Sequence, residues 1–171
     1  MGYRTDRNRD KRIMRFYKSR DGKTFSPHIS EVNVPNGVGE DRILFLKDGS
    51  ALCLLRHETG NKMALLGTSQ PAFTDWNWRE LNLRIGGPNM IQLPDGRILA
   101  ATRLYEPQQR TSLSWIDTQN ATMTETLKLP SGGDTSYPGM VRHDGQLWVS
   151  YYSSHEGKAA IYLARVDFGR P

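Results

Sequence analysis

One cysteine, Cys53, is all that 171 residues contain, so an internal disulfide is excluded. Long apolar runs are missing too, and none approaches the roughly 20 residues that a membrane-spanning helix needs. Met1-Gly2-Tyr3-Arg4 leads into charge rather than into the apolar stretch of a secretion leader, and Asp6 stands where N-myristoylation requires Ser or Thr. The expectation is a chain with no membrane partner, cytoplasmic if complete, its localisation otherwise open. Helical periodicity is absent, and no His, Cys, Asp or Glu cluster has metal-ligand spacing, so neither metal nor cofactor is called. With 37% hydrophobic and 24% charged residues, the chain can bury a core and reads as one domain over residues 1–171. Cys53, inside "ALCLLR", reads as a small core residue.

The net charge of +5 is uneven. Arg4, Arg7, Arg9, Lys11, Arg12, Arg15, Lys18 and Arg20 face only Asp6 and Asp10 in the first twenty residues, and the remainder is close to balance. Residues 1–12 therefore form a basic N-terminal arm. No nucleic-acid-binding motif accompanies it, so a solvated arm is expected and no nucleic-acid partner.

Three hairpin-like segments repeat: "ILFLKDGSALCLLR", "MIQLPDGRILAATR" and "GMVRHDGQLWVSYY". Each centres on Asp-Gly, where glycine accepts positive φ and the short acid bonds nearby backbone N–H groups. Gly49, Gly96 and Gly145 recur at about 48 residues, the size of a four-stranded blade. Further strand candidates lie between them: "KMALLGTS", "WRELNLR", "TSLSWID", "TETLKL" and "AAIYLARV". The fold class expected is all-β, a β-propeller of three to four four-stranded blades. A closed ring needs more blades than that, so either N-terminal blades are missing or a homo-oligomer completes the fold.

In an antiparallel hairpin, residues far from the turn collect at one end. Glu40, Arg56, Arg103 and Tyr137 all stand seven to nine residues from their Asp-Gly glycines and are expected on one rim, with Arg110 opening the next strand toward the same mouth. Guanidiniums beside a carboxylate and a phenol suggest an anion site, because the planar Arg fork binds carboxylates bidentately and stays charged. His57 and His155 read as surface residues beside loops.

These residues resemble the sialidase (neuraminidase) superfamily of BNR, or Asp-box, propellers. "SRDGKTF" resembles its Asp box with Phe25 in place of Trp, which makes Asp21 a turn residue and pins the Phe25 ring beneath the turn. "EDRILFLKDGSALCLLRHETGNKMALLGTS" and "TRLYEPQQRTSLSWI" resemble the segments that carry the family's base and two of its arginines. "GGDTSYPGMVRHDGQLWVSYYSSHEGKAAIYLARV" is similar to its final catalytic blade. The resemblance implies the C-terminal half of a six-bladed ring, without the family's first arginine and acid/base aspartate. It implies exo-hydrolysis of terminal sialic acid or a related acidic sugar, with Tyr137 as nucleophile, Glu40 as its base, and Arg56, Arg110 and, as a neighbour, Arg103 holding the substrate. A phenol suits a sugar with a carboxylate at its anomeric carbon, because a carboxylate nucleophile would meet like charge. Asp134 and Asp41 are candidates for the missing acid. Two other readings stand beside this one: a carbohydrate-binding propeller without hydrolysis, and a structural or interaction scaffold.

Overall fold

The strand-forming runs on either side of each Asp-Gly pair up as antiparallel hairpins in the structure, a computed structural model that describes residues 2–5 and 12–167. They are β4 (Val38–Phe45) with β5 (Ala51–His57), β8 (Ile85–Gln92) with β9 (Ile98–Leu104), and β12 (Thr135–His143) with β13 (Gln146–Ser153). The turns follow from their residues. Gly49, Gly96 and Gly145 take φ of 88°, 90° and 78°, and Asp48 Oδ1 accepts from the Ser50 backbone N–H at 2.9 Å as Asp95 Oδ1 does from that of Arg97 at 3.0 Å.

Each hairpin extends outward in chain order. β6 (Leu65–Ser69) and β7 (Asn77–Glu80) complete a four-stranded sheet on β4–β5, and β10 (Arg110–Asp117) and β11 (Thr122–Lys128) complete another on β8–β9. β14 (Ala160–Val166) makes the last sheet three-stranded, and β1 (Gly2–Thr5), β2 (Arg12–Lys18) and β3 (Ser26–Ile29) form a three-stranded sheet at the other end. The expectation of three to four four-stranded blades is thus corrected to four sheets of three, four, four and three strands among the described residues. Of the arm read over residues 1–12, Gly2–Thr5 pairs with β2 through Thr5↔Arg12, and residues 6–11 lie outside the described residues. No helix occurs among the described residues.

Three apolar layers hold the four sheets face to face. Met14, Phe16 and Val32 meet Cys53, Leu55 and Leu65; Leu52, Leu54 and Leu66 meet Ile85, Met90, Ile98 and Ala100; Leu99, Ala101 and Leu113 meet Leu147, Val149 and Tyr151. The unbroken runs "ALCLL" and "ILAA" follow from this, because β5 and β9 are covered on both faces. Fully burying Leu54 and Leu55 contributes about 1.5–3 kcal/mol each. β14 alternates half-buried and exposed along its length, because one face of the last sheet is bare. The first strands stand side by side, β4 beside β8 and β8 beside β12.

The segment from Ser19 to Phe25 is self-contained punctuation. Asp21 Oδ1 accepts from the backbone N–H groups of Lys23 and Thr24, both at 2.8 Å, and from the Ser19 hydroxyl, and these bonds hold its carboxyl far below the usual range. The Phe25 ring is not pinned beneath the turn. It is 60% exposed, since the turn is satisfied by polar bonds and offers no apolar floor.

Candidate functional site

A bulge recurs near the start of β4, β8 and β12, at the end away from the Asp-Gly turns. The register skips between Val38 and Asp41, between Gly86 and Asn89, and between Ser136 and Gly139, so two residues oppose one each time. The bulged pairs are Gly39-Glu40, Gly87-Pro88 and Tyr137-Pro138. A bulge re-aims side chains, and here it turns Glu40 and Tyr137 toward each other across three sheets. Tyr137 takes φ 49°, which costs a side-chain-bearing residue about 1–2 kcal/mol, and its ring stands 59% exposed. Gly87 makes room for it: a Cβ there would strike Ser136 Oγ and lie 2.9 Å from the Tyr137 backbone nitrogen.

The Tyr137 hydroxyl donates to Glu40 Oε1 at 2.9 Å, and Arg56 Nη1 donates to both oxygens of the same carboxylate at 3.0 Å. Arg56 Nε also faces the Glu58 carboxylate. Tyr137 stacks on Tyr152, ring centroids 6.1 Å apart, and the Tyr152 hydroxyl donates to Asp134 at 2.7 Å. Arg103 closes this side, donating from Nη2 to Asp134 and to the Tyr152 oxygen, each at 2.8 Å, and from Nε to the Thr135 carbonyl. One network therefore runs from Glu58 through Arg56, Glu40, Tyr137 and Tyr152 to Asp134 and Arg103.

Partial burial alone would push the Glu40 carboxyl up, but its own backbone N–H, the Tyr137 hydroxyl and the Arg56 guanidinium outweigh it and leave it below the ordinary value. The hydrogen bond to Glu40, with some burial, raises the Tyr137 phenol above 10. At neutral pH the pair is a neutral phenol donating to a charged carboxylate.

Of the residues expected at the mouth, Glu40, Arg56, Tyr137 and Arg103 are brought together. Arg110 is not. Its guanidinium is buried against Glu125 on β11, at 2.7 and 2.6 Å, and donates to the carbonyls of Glu106 and Gln108. The main chain of Arg103 pairs with Thr111, one residue past Arg110, yet the two guanidiniums have different partners. Asp134 is a partner of Arg103 and 68% exposed. Asp41 points to the opposite face of β4, where it takes a long contact from the Cys53 thiol at 3.7 Å and burial raises its carboxyl to about 6. His57 is buried rather than at the surface, its Nε2 2.6 Å from the Asn36 carbonyl oxygen.

Two residues went unread in the sequence. Tyr105, just past β9, lies beneath the Arg84 guanidinium, 4.0 Å from ring centroid to Cζ, and 5.9 Å from that of Arg103. Tyr105 lies within "TRLYEPQQRTSLSWI" and Arg84 ends "WRELNLR", directly before the "IGGPN" bulge, but neither was singled out.

No family model matches the chain, and no curated protein does. Solved structures similar in fold include a protein of unknown function from Dyadobacter fermentans, with TM-score 0.79, 21% identity, and 91% of this chain against 45% of that one. An endo-1,4-β-xylanase from Bacteroides thetaiotaomicron gives 0.69 at 11% identity, with 96% and 64% covered. The α-L-arabinofuranosidase Arb93A from Fusarium graminearum gives 0.64 at 13%, with 75% and 45% covered. The chain thus spans under two thirds of each. At these identities the likeness is one of fold: a β-propeller-like, all-β architecture that glycoside hydrolases use, with no selection of the sialidases among them.

Proposed function

We propose that the Tyr137 mouth is a glycan site of sialidase type, part of a propeller whose remaining blades come from outside this chain or from a second copy, and that it takes an acidic sugar. The observation that carries the reading is the 2.9 Å hydrogen bond from Tyr137 to a carboxylate that Arg56 also holds. In the reaction, the phenolic oxygen forms a bond to the anomeric carbon as its proton passes to Glu40 and the bond to the aglycone breaks, the aglycone oxygen taking a proton from solvent. Water then attacks the anomeric carbon and gives up a proton to solvent, the bond to the phenolic oxygen breaks, and Glu40 returns its proton to the phenolate. Arg56 and Arg103 supply positive charge around a substrate carboxylate and the oxocarbenium-like transition state.

Protonation of the aglycone is not assigned to a residue of this chain, because Asp134 is held by Arg103 and Tyr152 and Asp41 lies on the far face of β4. That fact favours a second reading, glycan binding without hydrolysis. Calorimetric titration of N-acetylneuraminic acid and a neutral monosaccharide, with a fluorogenic sialoside assay alongside, separates the outcomes. Arg56→Ala is expected to weaken acid binding by about 2 kcal/mol, the low end for truncating a charge partner at a half-open site, and to spare the neutral sugar. Tyr137→Phe is expected to keep binding and abolish any hydrolysis. Binding of the acid without turnover leaves the second reading; equal, arginine-independent binding of both sugars overturns both.

A further inference from the structure

Burial does not hold the Tyr137 ring in place, because it stands 59% exposed. Its φ of 49° is one that side-chain-bearing residues avoid, and such a conformation persists only where its surroundings over-determine it. Two contacts do so here. The hydroxyl end is fixed by Glu40 at 2.9 Å, and the ring face lies against Tyr152, with 6.1 Å between centroids and 22° between planes. That separation is within the range of an offset aromatic stack.

Tyr152 is itself fixed at both ends. Its main chain pairs with Ser136, the residue before Tyr137, so the two rings leave adjoining positions of β12 and β13. Its hydroxyl donates to Asp134 Oδ1 at 2.7 Å and accepts from Arg103 Nη2 at 2.8 Å, and Arg103 comes from β9 of the neighbouring sheet. A phenylalanine could supply the stack but not these two bonds, which stop the ring from sliding into or out of the mouth. The Tyr152 hydroxyl is committed to Asp134 and Arg103 and not to Glu40, so it moves no proton of the reacting pair. What it controls is where the Tyr137 oxygen stands.

Resting on the glycan reading above, we propose that Tyr152 is a positioning residue of this mouth: it holds the Tyr137 ring where its oxygen meets Glu40, and Arg103 and Asp134 lock it in that place. The contact of the third sheet with the last one, made through Arg103, thereby sets the geometry of the Tyr137–Glu40 pair.

The test is a double-mutant cycle at neutral pH, read as the shift in denaturant midpoint that Tyr137→Phe causes in wild type, in Tyr152→Leu and in Tyr152→Phe. A merely structural Tyr152 would lower stability and leave that shift as it is. A positioning one should cut it to about half or less in Tyr152→Leu, because a ring without its stack spends less time on Glu40. Tyr152→Phe, which keeps the stack and loses the bonds to Asp134 and Arg103, should cut it by a smaller amount, and it carries the test if Tyr152→Leu fails to fold. In calorimetric titration Tyr152→Leu should also bind N-acetylneuraminic acid about twofold to tenfold more weakly, the worth of an aromatic pair, as the loosened ring enters the sugar's space. A Tyr137→Phe shift that is the same in wild type and in the Tyr152 variants, or a Tyr152→Leu protein that binds the sugar as wild type does, overturns the assignment and leaves the glycan reading intact. Failure of wild type to bind the sugar overturns the glycan reading, and the cycle, which needs no sugar, still decides whether Tyr152 holds Tyr137.

Discussion

At the scale of single residues, Tyr137 and Glu40 define the site by their opposite displacements. Glu40 is held below the ordinary carboxylate value of about 4.3, so its contribution to stability is complete above that value and is lost as pH falls through its own lower one. Tyr137 is raised above the ordinary phenol value, so its contribution is complete below about 10 and is lost as pH rises through its own higher one. Denaturant titrations of wild type and Tyr137→Phe should therefore differ by a constant amount between about pH 5 and 9 and converge outside that window. A difference that changes through neutrality would mean that another group titrates against the phenol. Arg110 shows the opposite character. Arg110→Ala should destabilise the fold by about 1–3 kcal/mol, because it strips a half-buried carboxylate and two carbonyls of their donor, and it should leave sugar affinity unchanged, read by the same titration as for Arg56→Ala. Distance from the turn was a sound guide to Glu40 and Tyr137, whose positions depend on local hairpin geometry. It could not place Arg110, whose partner Glu125 lies across a hairpin with a register shift between Leu113 and Ser114 that no residue pattern announces.

Among the elements, the bulged first strands do the positioning. Asp-Gly turns and strand-forming runs made the hairpins readable, since the chemistry that closes them lies within a few residues. The bulges were not readable from residue spacing, because they exist only where first strands of neighbouring sheets meet. Gly87 is where two of them touch, with φ 50° on one side of the contact and Tyr137 at φ 49° on the other. Gly87→Ala puts a methyl into Ser136 Oγ and the Tyr137 backbone and also penalises the positive φ. The expected cost is about 1–3 kcal/mol in stability, and the loss of sugar binding should exceed that of a surface control such as Gly22→Ala, where a Cβ meets nothing within 4 Å. Thermal denaturation together with sugar titration of the two variants decides it, and equal behaviour would remove the bulges from the account.

For the whole molecule, the uncovered face of the last sheet is the dominant feature. Ile161 is 79% exposed, Leu163 64% and Val141 58%, on strands whose opposite face is packed against the third sheet. A bare apolar sheet face with an unpaired edge strand favours association. The chain is expected to self-associate at micromolar concentration, and Ile161→Lys with Leu163→Glu should shift it toward monomer in analytical ultracentrifugation; a wild type that stays monomeric at high concentration would contradict this. The period of about 48 residues pointed to this layered arrangement, but the strand counts of the two end sheets, three each, could not be read from it. The central claim, that the Tyr137 mouth is where a sugar binds, is tested most directly by a crystal structure of the protein soaked with N-acetylneuraminic acid. The account predicts sugar density between Tyr137, Arg56 and Arg103, with the carboxylate toward the two guanidiniums and the ring toward the Tyr137 oxygen. Sugar bound elsewhere on the molecule, or an empty mouth at saturating sugar, would contradict it.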